Sequence, residues 1–240
     1  IFTIALNTKM QAVIFLPVLA MIIFTKLKNF RQVIYLLLSI IITEIIITLP
    51  FILSGNFSSY IDMYFKSVGH QPKVSLNAFN LWYLVLWDLN PQKIYDKTTW
   101  FIFSYKQFGF AFFMISSFFS LLPLFLKSLV AFRKKIIPEN YYELLFLSAS
   151  MVTLSFFYFN TQMHERYIHP ALIFLFFYAA WARKFGLYAL ISVAYLLEME
   201  RVLMFFKMPV FVYDVILDKR YIAILFSLAV IAGFRALYIS

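Results

Sequence analysis

The 240-residue sequence contains no cysteine, only five glycines and few charged residues, which make up 13% of the chain. Because cysteine is absent, disulfides, thiolate metal sites and cysteine nucleophiles are excluded. The glycines stand singly along the sequence, so they form no glycine-rich loop of the kind that cradles phosphate groups. A soluble nucleotide-binding site of that kind is therefore not expected.

Apolar sequence is what the chain has in abundance. Hydrophobic residues make up 63% of it, aromatic residues make up 21%, and 31 residues are phenylalanine. Soluble domains are about half apolar and about a quarter charged. The apolar residues come in blocks of roughly 17 to 25, the length that an α-helix needs to cross a bilayer. We therefore predict an all-α, polytopic membrane protein.

The formal net charge is +10, but the basic residues do not follow one polar face. They cluster in short segments between the apolar blocks. This pattern is typical of loops that contact anionic lipid headgroups. We therefore expect membrane lipids as partners, and we do not expect nucleic acid.

About seven transmembrane helices are predicted, which form a single transmembrane helical domain over residues 1–240. The apolar blocks comprise 10–24, 33–53, 107–132, 141–159, 168–181, 186–206 and 221–238. Between them lie short basic loops at 26–31, 133–135 and 183–184. Because such loops favour the cytoplasm, the long loop 54–105 and the polar segment 161–170 are predicted to share the non-cytoplasmic side.

Part of the long loop is apolar and aromatic. Residues 77–87 read N-A-F-N-L-W-Y-L-V-L-W, which is too short to span a membrane. This composition predicts an interfacial or re-entrant helix. Trp82, Tyr83 and Trp87 would then lie at the level of the lipid headgroups.

The polar segment from Thr161 to Pro170 reads T-Q-M-H-E-R-Y-I-H-P and lies between two apolar blocks. Ionisable groups at a membrane boundary are costly and suggest a function. A zinc hydrolase motif does not fit, because it needs histidines four apart on one helix face. His164 and His169 are five apart, or about 140° around a helix. No cofactor is assigned from the sequence, and a divalent metal stays open.

Three motifs resemble signatures of the GT-C membrane glycosyltransferases. They are T-K-M-Q from Thr8 to Gln11 ahead of Pro17, N-A-F-N-L-W from Asn77 to Trp82, and M-H-E-R-Y followed by Pro170. The sequence is similar in particular to bacterial mannosyltransferase-like proteins related to the second mannosyltransferase of GPI-anchor synthesis. The resemblance covers most of residues 8–182, and H-E-R-Y between two spans is its most specific part.

This resemblance implies an enzyme that transfers a hexose, such as mannose, from a polyprenyl-phosphate sugar donor to a glycan, lipid or protein acceptor. It also implies a reaction on the outer face, with an Asp of the first outer loop as general base. That loop would precede Ile1, so we expect the chain to be the later part of a larger enzyme. Asp62, Asp88 and Asp96 lack the family's motif context.

His164, Glu165 and Arg166 are the candidate site residues of the polar segment. Arg166 carries a planar guanidinium that can grip a phosphate from two directions, and His164 is a second candidate for the phosphate. His164 and Glu165 are the catalytic candidates, since glycosyl transfer needs an acceptor-side base and a stabilised leaving group. Glu165 could instead orient Arg166. The alternative is a polar cap at a helix turn, with the arginine reaching to headgroups.

Four further residues are candidates for substrate binding. Lys9 and Gln11 could reach the same outer face, although Lys9 could equally be a membrane anchor. Asn77 and Asn80 are three positions apart and would share a helix face that could meet a sugar. An asparagine that caps the start of that helix is the alternative.

Three of the ionisable residues within the predicted spans carry an expectation of their own. Glu44 has either a function or a buried hydrogen bond to a neighbouring helix. Glu198 and Arg201, three positions apart, are predicted to pair with each other. Two other classes of protein stay open, a non-catalytic membrane scaffold or lipid-binding module of the same fold, and a transporter or channel.

Overall fold

A computed structural model describes residues 1–27, 29–67 and 71–239. Lys28, part of the first predicted basic loop, lies outside the described residues. Within them the α-helices are α1 (Phe2–Thr8), α2 (Leu16–Lys26), α3 (Phe30–Leu53), α4 (Phe57–Ser67), α5 (Leu81–Val85), α6 (Tyr105–Lys134), α7 (Tyr141–Phe159), α8 (His169–Ala182), α9 (Gly186–Leu203) and α10 (Lys219–Ile239). Short 3₁₀ helices precede α2 (Met10–Phe15) and α8 (Glu165–Ile168), and a π-helical turn precedes α10 (Val212–Ile216). One small hairpin joins β1 (Thr99–Trp100) to β2 (Phe103–Ser104).

The predicted all-α membrane protein is confirmed, but the count of seven spans is not. In the described part of the chain, four helical segments are long and apolar enough to cross a membrane: Phe30–Leu53, Tyr105–Lys134, Tyr141–Phe159 and Val212–Ile239. The segment Met10–Lys26 is apolar but shorter. Helix α8 has 14 residues, a length of about 21 Å against a hydrocarbon core of about 30 Å.

Helix α7 is the centre of the packed bundle. Of its membrane-spanning window, 67% is buried against α6, α8 and α10. Small polar side chains permit this close packing, as is usual between helices in membranes. Ser155 hydrogen-bonds Ser116 of α6 at 2.7 Å, and Ser150 donates to the carbonyl oxygen of Ala171 in α8 at 2.9 Å.

Helix α3 stands apart from this bundle. None of the residues in its membrane-spanning window is buried. Its polar link to the rest of the chain is Glu44, whose Oε1 accepts a hydrogen bond of 2.8 Å from the Asn7 side chain. The Tyr60 hydroxyl of α4 donates to Asn7 as well. Of the two alternatives that the sequence left open for Glu44, the hydrogen bond to a neighbouring helix is therefore present.

The long loop and the polar segment are in direct contact at one end of the bundle. The backbone N–H of Gln162 donates to the Lys73 carbonyl at 3.1 Å, and that of Leu76 donates to the Met163 carbonyl at 3.0 Å. At the opposite end, Lys26 Nζ donates to the Tyr142 hydroxyl at 3.2 Å. The loop and the segment therefore share one end of the molecule, whereas Lys26 lies at the other.

The predicted interfacial helix over 77–87 is wrong in extent and in position. Only Leu81–Val85 is helical, and Trp82 and Tyr83 are 0% and 5% exposed, so neither ring is free to contact lipid headgroups. Trp82 is drawn inward because its indole Nε1 donates to the Phe159 carbonyl at the end of α7, at 3.0 Å. The aromatic residues of this loop thus close the end of the bundle, and of the three predicted anchors only Trp87 is exposed.

Candidate functional site

A cavity of about 640 Å³ opens at this end of the bundle, between the N-terminal segment, the start of α6 and the segment after α7. Its polar lining includes two lysines and several amides and hydroxyls. These are Asn7, Thr8, Lys9, Gln11, Lys106, Asn160, Thr161 and Gln162. Its apolar lining comprises Met10, Val13, Ile14, Met63, Phe110, Phe156, Met163 and Tyr167. The cavity is therefore amphiphilic.

A break between two helices brings Lys9 to the cavity. Helix α1 ends at Thr8, and Lys9 adopts an extended backbone before the 3₁₀ helix Met10–Phe15 begins. Lys9 Nζ lies 4.6 Å from the centroid of the Tyr167 ring, a cation–π contact. The N-terminal segment and the polar segment therefore meet at this point, which is one of the two positions that the sequence left open for Lys9.

A buried carboxylate holds the segment after α7. Asp96 is 0% exposed, and its Oδ2 accepts hydrogen bonds from Gln162 Nε2 at 2.6 Å and from Thr161 Oγ1 at 3.3 Å. Gln162 also has a positive φ of 61°, a conformation that few non-glycine residues adopt. Asp96 thus fixes two polar residues of the cavity wall.

His164, Glu165 and Arg166 lie beside the cavity, in the turn that leads to α8. The His164 ring packs edge-on against Tyr167 with centroids 5.5 Å apart. His164 Nδ1 lies 3.9 Å from Glu165 Oε2, which is ion-pair distance once the imidazole is protonated. Arg166 is exposed at the rim and acts electrostatically on both Lys9 and His164.

The rim is electropositive. In the described part of the chain no carboxylate lies within ion-pair distance of Lys9 or Arg166. Partial burial and the charge of Arg166 lower the pKa of Lys9 below 10.5. Burial first, and then the charge of Arg166, lower the pKa of His164 below 6.5, while Glu165 opposes this shift. His164 is therefore mostly neutral at about pH 7. Lys9 and Arg166 are two neighbouring cations that could bind an anion.

The structure gives Asn77 and Asn80 other surroundings. Asn80 is fully buried and caps α5, since its Oδ1 accepts from the Trp82 N–H at 3.3 Å. Its Nδ2 donates to the carbonyls of Phe157 and Asn160, at 3.1 and 3.2 Å. Asn77 precedes the helix and accepts from Gln92 Nε2 at 2.8 Å, so the two asparagines do not share a helix face.

The predicted pair of Glu198 with Arg201 is wrong. Glu198 is 0% exposed, and its Oε1 accepts a 2.7 Å hydrogen bond from the backbone N–H of Phe79. Arg201 instead pairs with Asp214, at 3.0 Å. The tertiary contacts with the long loop and with the segment before α10 override the local spacing on α9.

The structure adds cavity residues that the motifs do not contain. Thr161 and Gln162 belong to the conspicuous polar segment, so the sequence carried a signal for them. Lys106 and Asn160 line the cavity as well, and no local pattern singles them out. Among residues 1–27, 29–67 and 71–239, no three His, Asp or Glu side chains form a group that could hold a metal ion.

The fold and the cavity define a class, an integral membrane protein with an amphiphilic cavity at one end of a helical bundle. The family model described as ALG3 protein matches residues 1–68, less than a third of the chain. This match points to a membrane mannosyltransferase family of the GT-C type. No curated protein and no solved structure matches the chain.

Proposed function

We propose that the chain works as a membrane glycosyltransferase that moves a hexose, in particular mannose, from a polyprenyl-phosphate donor to an acceptor hydroxyl. The observation that carries this proposal is the amphiphilic cavity, which has Lys9 and Lys106 in its polar lining and apolar side chains along its wall. Arg166 is not among the lining residues, but it is close enough to act electrostatically on Lys9. A lipid-linked sugar phosphate likewise has a charged, polar head and an apolar chain. The family match over residues 1–68 supports the same reaction class.

In this proposal the donor phosphate lies between Lys9 and Arg166. Arg166 would bind two phosphate oxygens through its planar fork, and Lys9 would supply a point charge. Both cations have no carboxylate partner within ion-pair distance in the described residues. Their stabilising effect would increase as negative charge develops on the leaving phosphate. Gln11 would hydrogen-bond the sugar or the phosphate from the same segment.

The apolar wall suits the polyprenyl chain. Val13 and Phe110 line the cavity and are 47% and 57% exposed. Val13 belongs to the apolar segment Met10–Lys26, and Phe110 belongs to the candidate span Tyr105–Lys134. An isoprenoid could therefore pass from the cavity into the bilayer along these segments. Met10 and Ile14 extend the same wall.

His164 and Glu165 are the proposed catalytic pair. The acceptor oxygen would attack the anomeric carbon of the donor, the bond from that carbon to the phosphate oxygen would break, and the acceptor proton would pass to neutral His164. The polyprenyl phosphate leaves as the anion held by Lys9 and Arg166. Protonated His164 would then be stabilised by Glu165, whose Oε2 lies 3.9 Å from Nδ1.

We place this reaction on the non-cytoplasmic face. The support is the distribution of short basic loops: Lys26 and the basic residues at 133–135 and 183–184 lie at the end of the bundle opposite to the cavity. Such short loops favour the cytoplasm. The proposed face is tested by labelling single cysteines at Gln162 and Lys184 with a membrane-impermeant reagent, since the chain has no cysteine of its own.

Transfer from a short-chain polyprenyl-phosphate mannose tests the proposed roles. Arg166→Lys keeps the charge but loses the fork, so donor affinity or turnover should fall by about ten- to a hundredfold. Arg133→Lys, at an exposed position of the opposite end, is the matched control and should leave both unchanged. If donor affinity and turnover were unchanged in both variants, Arg166 would be a polar cap and not a phosphate ligand.

The pH profile tests His164 separately. A base with a lowered pKa loses function as pH falls through that pKa, so the acidic limb of the profile should lie below about pH 6.5. His164→Gln should lower turnover by about a hundredfold or more and remove that limb. An unchanged acidic limb in His164→Gln would exclude His164 as the base.

A second function, lipid binding without chemistry, is favoured by one observation. No Asp or Glu stands among the described residues that line the cavity. A lipid-binding module would bind the donor with an affinity that depends on Arg166, yet it would release no polyprenyl phosphate. Measuring binding and turnover on the same preparation therefore separates the two functions.

A further inference from the structure

The connection between α9 and α10 carries a dense set of exposed apolar side chains. Seven of them are between 47% and 77% exposed: Met204, Phe205, Phe206, Val210, Phe211, Val215 and Ile216. Val215 and Ile216 belong to the candidate membrane span Val212–Ile239, and the other five residues precede it. A dense set of exposed apolar side chains marks a contact surface. The connection lies at the same end as the cavity, because α8 begins beside the polar segment and α9 returns to that end.

A buried polar core fixes this connection. Glu200 is 5% exposed and accepts hydrogen bonds from the backbone N–H of Phe206, at 3.1 Å, and from the Tyr213 hydroxyl, at 2.6 Å. The same hydroxyl accepts from the backbone N–H of Met208 at 3.1 Å. These polar groups of the connection therefore form hydrogen bonds with one another in the protein interior, and the apolar side chains lie on the exposed side.

A small cationic pocket lies within the connection. It has a volume of about 340 Å³ and is lined by Arg201, Lys207, Asp214 and the apolar groups of Met204, Val210 and Tyr213, among others. Arg201 Nη2 pairs with Asp214, while Arg201 Nε is buried without a hydrogen-bond partner. Lys207 is exposed and has no ion pair in the described part of the chain. Among the residues that line the pocket, two are basic and one is acidic, and Lys207 is the basic one without an ion pair in the described residues.

We infer that this connection inserts into the membrane interface and binds the phosphate of an anionic phospholipid. Phe205, Val210 and Phe211 would enter the acyl-chain boundary, as apolar faces of interfacial segments do. Lys207 and Arg201 would contact the headgroup phosphate at its edge. This site is separate from the donor cavity, with which it shares no lining residue, and it does not rest on the proposed glycosyl transfer.

Insertion is tested with the full chain in vesicles of phosphatidylcholine alone or mixed equally with phosphatidylglycerol. Val210→Cys places an environment-sensitive label at a side chain that is 73% exposed. Lys97→Cys, at an exposed position of the long loop, is the aqueous control. We expect lipid-borne quenchers to reach the label at 210 and iodide to reach the label at 97. Iodide quenching at 210 as strong as at 97 would overturn the insertion.

Phosphate recognition is tested on the purified chain by counting bound lipids with native mass spectrometry. The probes are short-chain phosphatidylglycerol, inorganic phosphate and a short-chain diacylglycerol. Lys207→Gln should reduce retained phosphatidylglycerol by about fivefold, the effect of one basic residue near a headgroup. Lys207→Arg should restore it, and Lys134→Gln, an exposed charge at the opposite end, should have no effect.

The three probes decide which ligand the pocket takes. Preference for phosphatidylglycerol over both other probes supports the inference. Competition by inorganic phosphate at equal concentration would show a site for soluble anions and overturn the lipid assignment. Equal retention of the diacylglycerol, or no loss in Lys207→Gln, would show apolar contact without phosphate recognition. Because Lys207 is exposed and unpaired in the described residues, its replacement should leave the fold intact.

Discussion

Helices α3 and α7 differ in how their apolar surface is covered: α3 is exposed, whereas α7 is buried within the bundle. Helix α3 has the higher mean hydropathy, yet none of its membrane-spanning window is buried, against 67% for α7. Helix α7 owes its lower hydropathy to buried hydroxyl residues, namely Ser148, Ser150, Thr153 and Ser155. Between helices in lipid, small residues and interhelical hydrogen bonds drive packing more than apolarity does. In this protein the most apolar helix therefore faces lipid, and the less apolar one forms the core.

The same contrast separates the N-terminal part from the bundle. Residues 1–68, which the family model matches, include α3, the least buried of the four candidate spans in the described residues. The candidate cavity lies where this part meets the bundle, since Lys9 comes from one and Tyr167 from the other. The contrast predicts that substitutions in α7 and its neighbours lower the stability of the protein, whereas substitutions on α3 are tolerated.

The largest effect is expected at Gly109 of α6. A Cβ atom added there would lie 2.8 Å from the Phe159 carbonyl oxygen, and backbone cannot move aside as a side chain can. Gly109→Val should therefore destabilise the protein by about 3 kcal/mol, the upper part of the range for overpacking. Thermal unfolding in detergent, followed by tryptophan fluorescence, measures this loss.

Gly186→Ala is the matched control, because a Cβ at this helical position would meet nothing within 4 Å. It should leave the midpoint unchanged or raise it slightly, since alanine favours helix more than glycine does. A midpoint for Gly109→Val equal to that of the parent would mean that α6 and α7 do not approach as closely as described.

The sequence predicted the class of fold because membrane helices leave a strong composition signal. Bounds of the apolar runs were close to the helices for α3, α6 and α7. The fate of 77–87 could not be predicted, because Trp82 is buried through a hydrogen bond to Phe159, a residue 77 positions away. The pairing of Glu198 failed for the same reason, since its partner Phe79 lies on the long loop. Local spacing carries no information about such contacts.

The candidate site was predictable where the motifs were local. The polar segment stood out, and the structure brings Lys9 and Gln11 to it. Asp96 was not found, because a single acidic residue in a long loop resembles any solvated charge. Its role depends on Thr161 and Gln162, which the fold brings to it over 65 and 66 positions. Whether these residues bind a donor stays a prediction.

A cavity in the core of α7 should give the second-largest effect. Leu154 is 0% exposed, so Leu154→Ala removes packed volume that no lipid can refill. The water-transfer part of the usual cost is absent in a bilayer, which leaves a cavity cost of about 2 kcal/mol. Unfolding of the purified variant in detergent measures it, and no loss of stability would contradict the central position of α7.

Loss of the Asn80 side chain, in Asn80→Ala, should have the third-largest effect on stability. It would leave the Trp82 N–H and the Phe157 carbonyl without their side-chain partner, at a cost of about 1 to 2 kcal/mol, while the Asn160 carbonyl would keep its hydrogen bond from Trp82 Nε1. Asn77→Ala removes one partly buried contact with Gln92 and should cost about half as much. Asn80→Ala should also weaken donor binding, because Asn160 lines the cavity. Equal stability of the two variants would contradict the structural role of Asn80.

The smallest effect is expected on α3, where Ile46 is 66% exposed. In a bilayer this side chain contacts lipid before and after the helices pack, so its truncation removes no packing within the protein. Ile46→Ala should therefore change the free energy of unfolding by no more than about 0.5 kcal/mol. The comparison with Leu154→Ala is direct, because both variants truncate a large aliphatic residue within an apolar helix. A loss at Ile46 as large as that at Leu154 would mean that a further protein surface covers α3. In that case the exposed face of α3 would be a contact surface, and the contrast between the two helices would no longer hold.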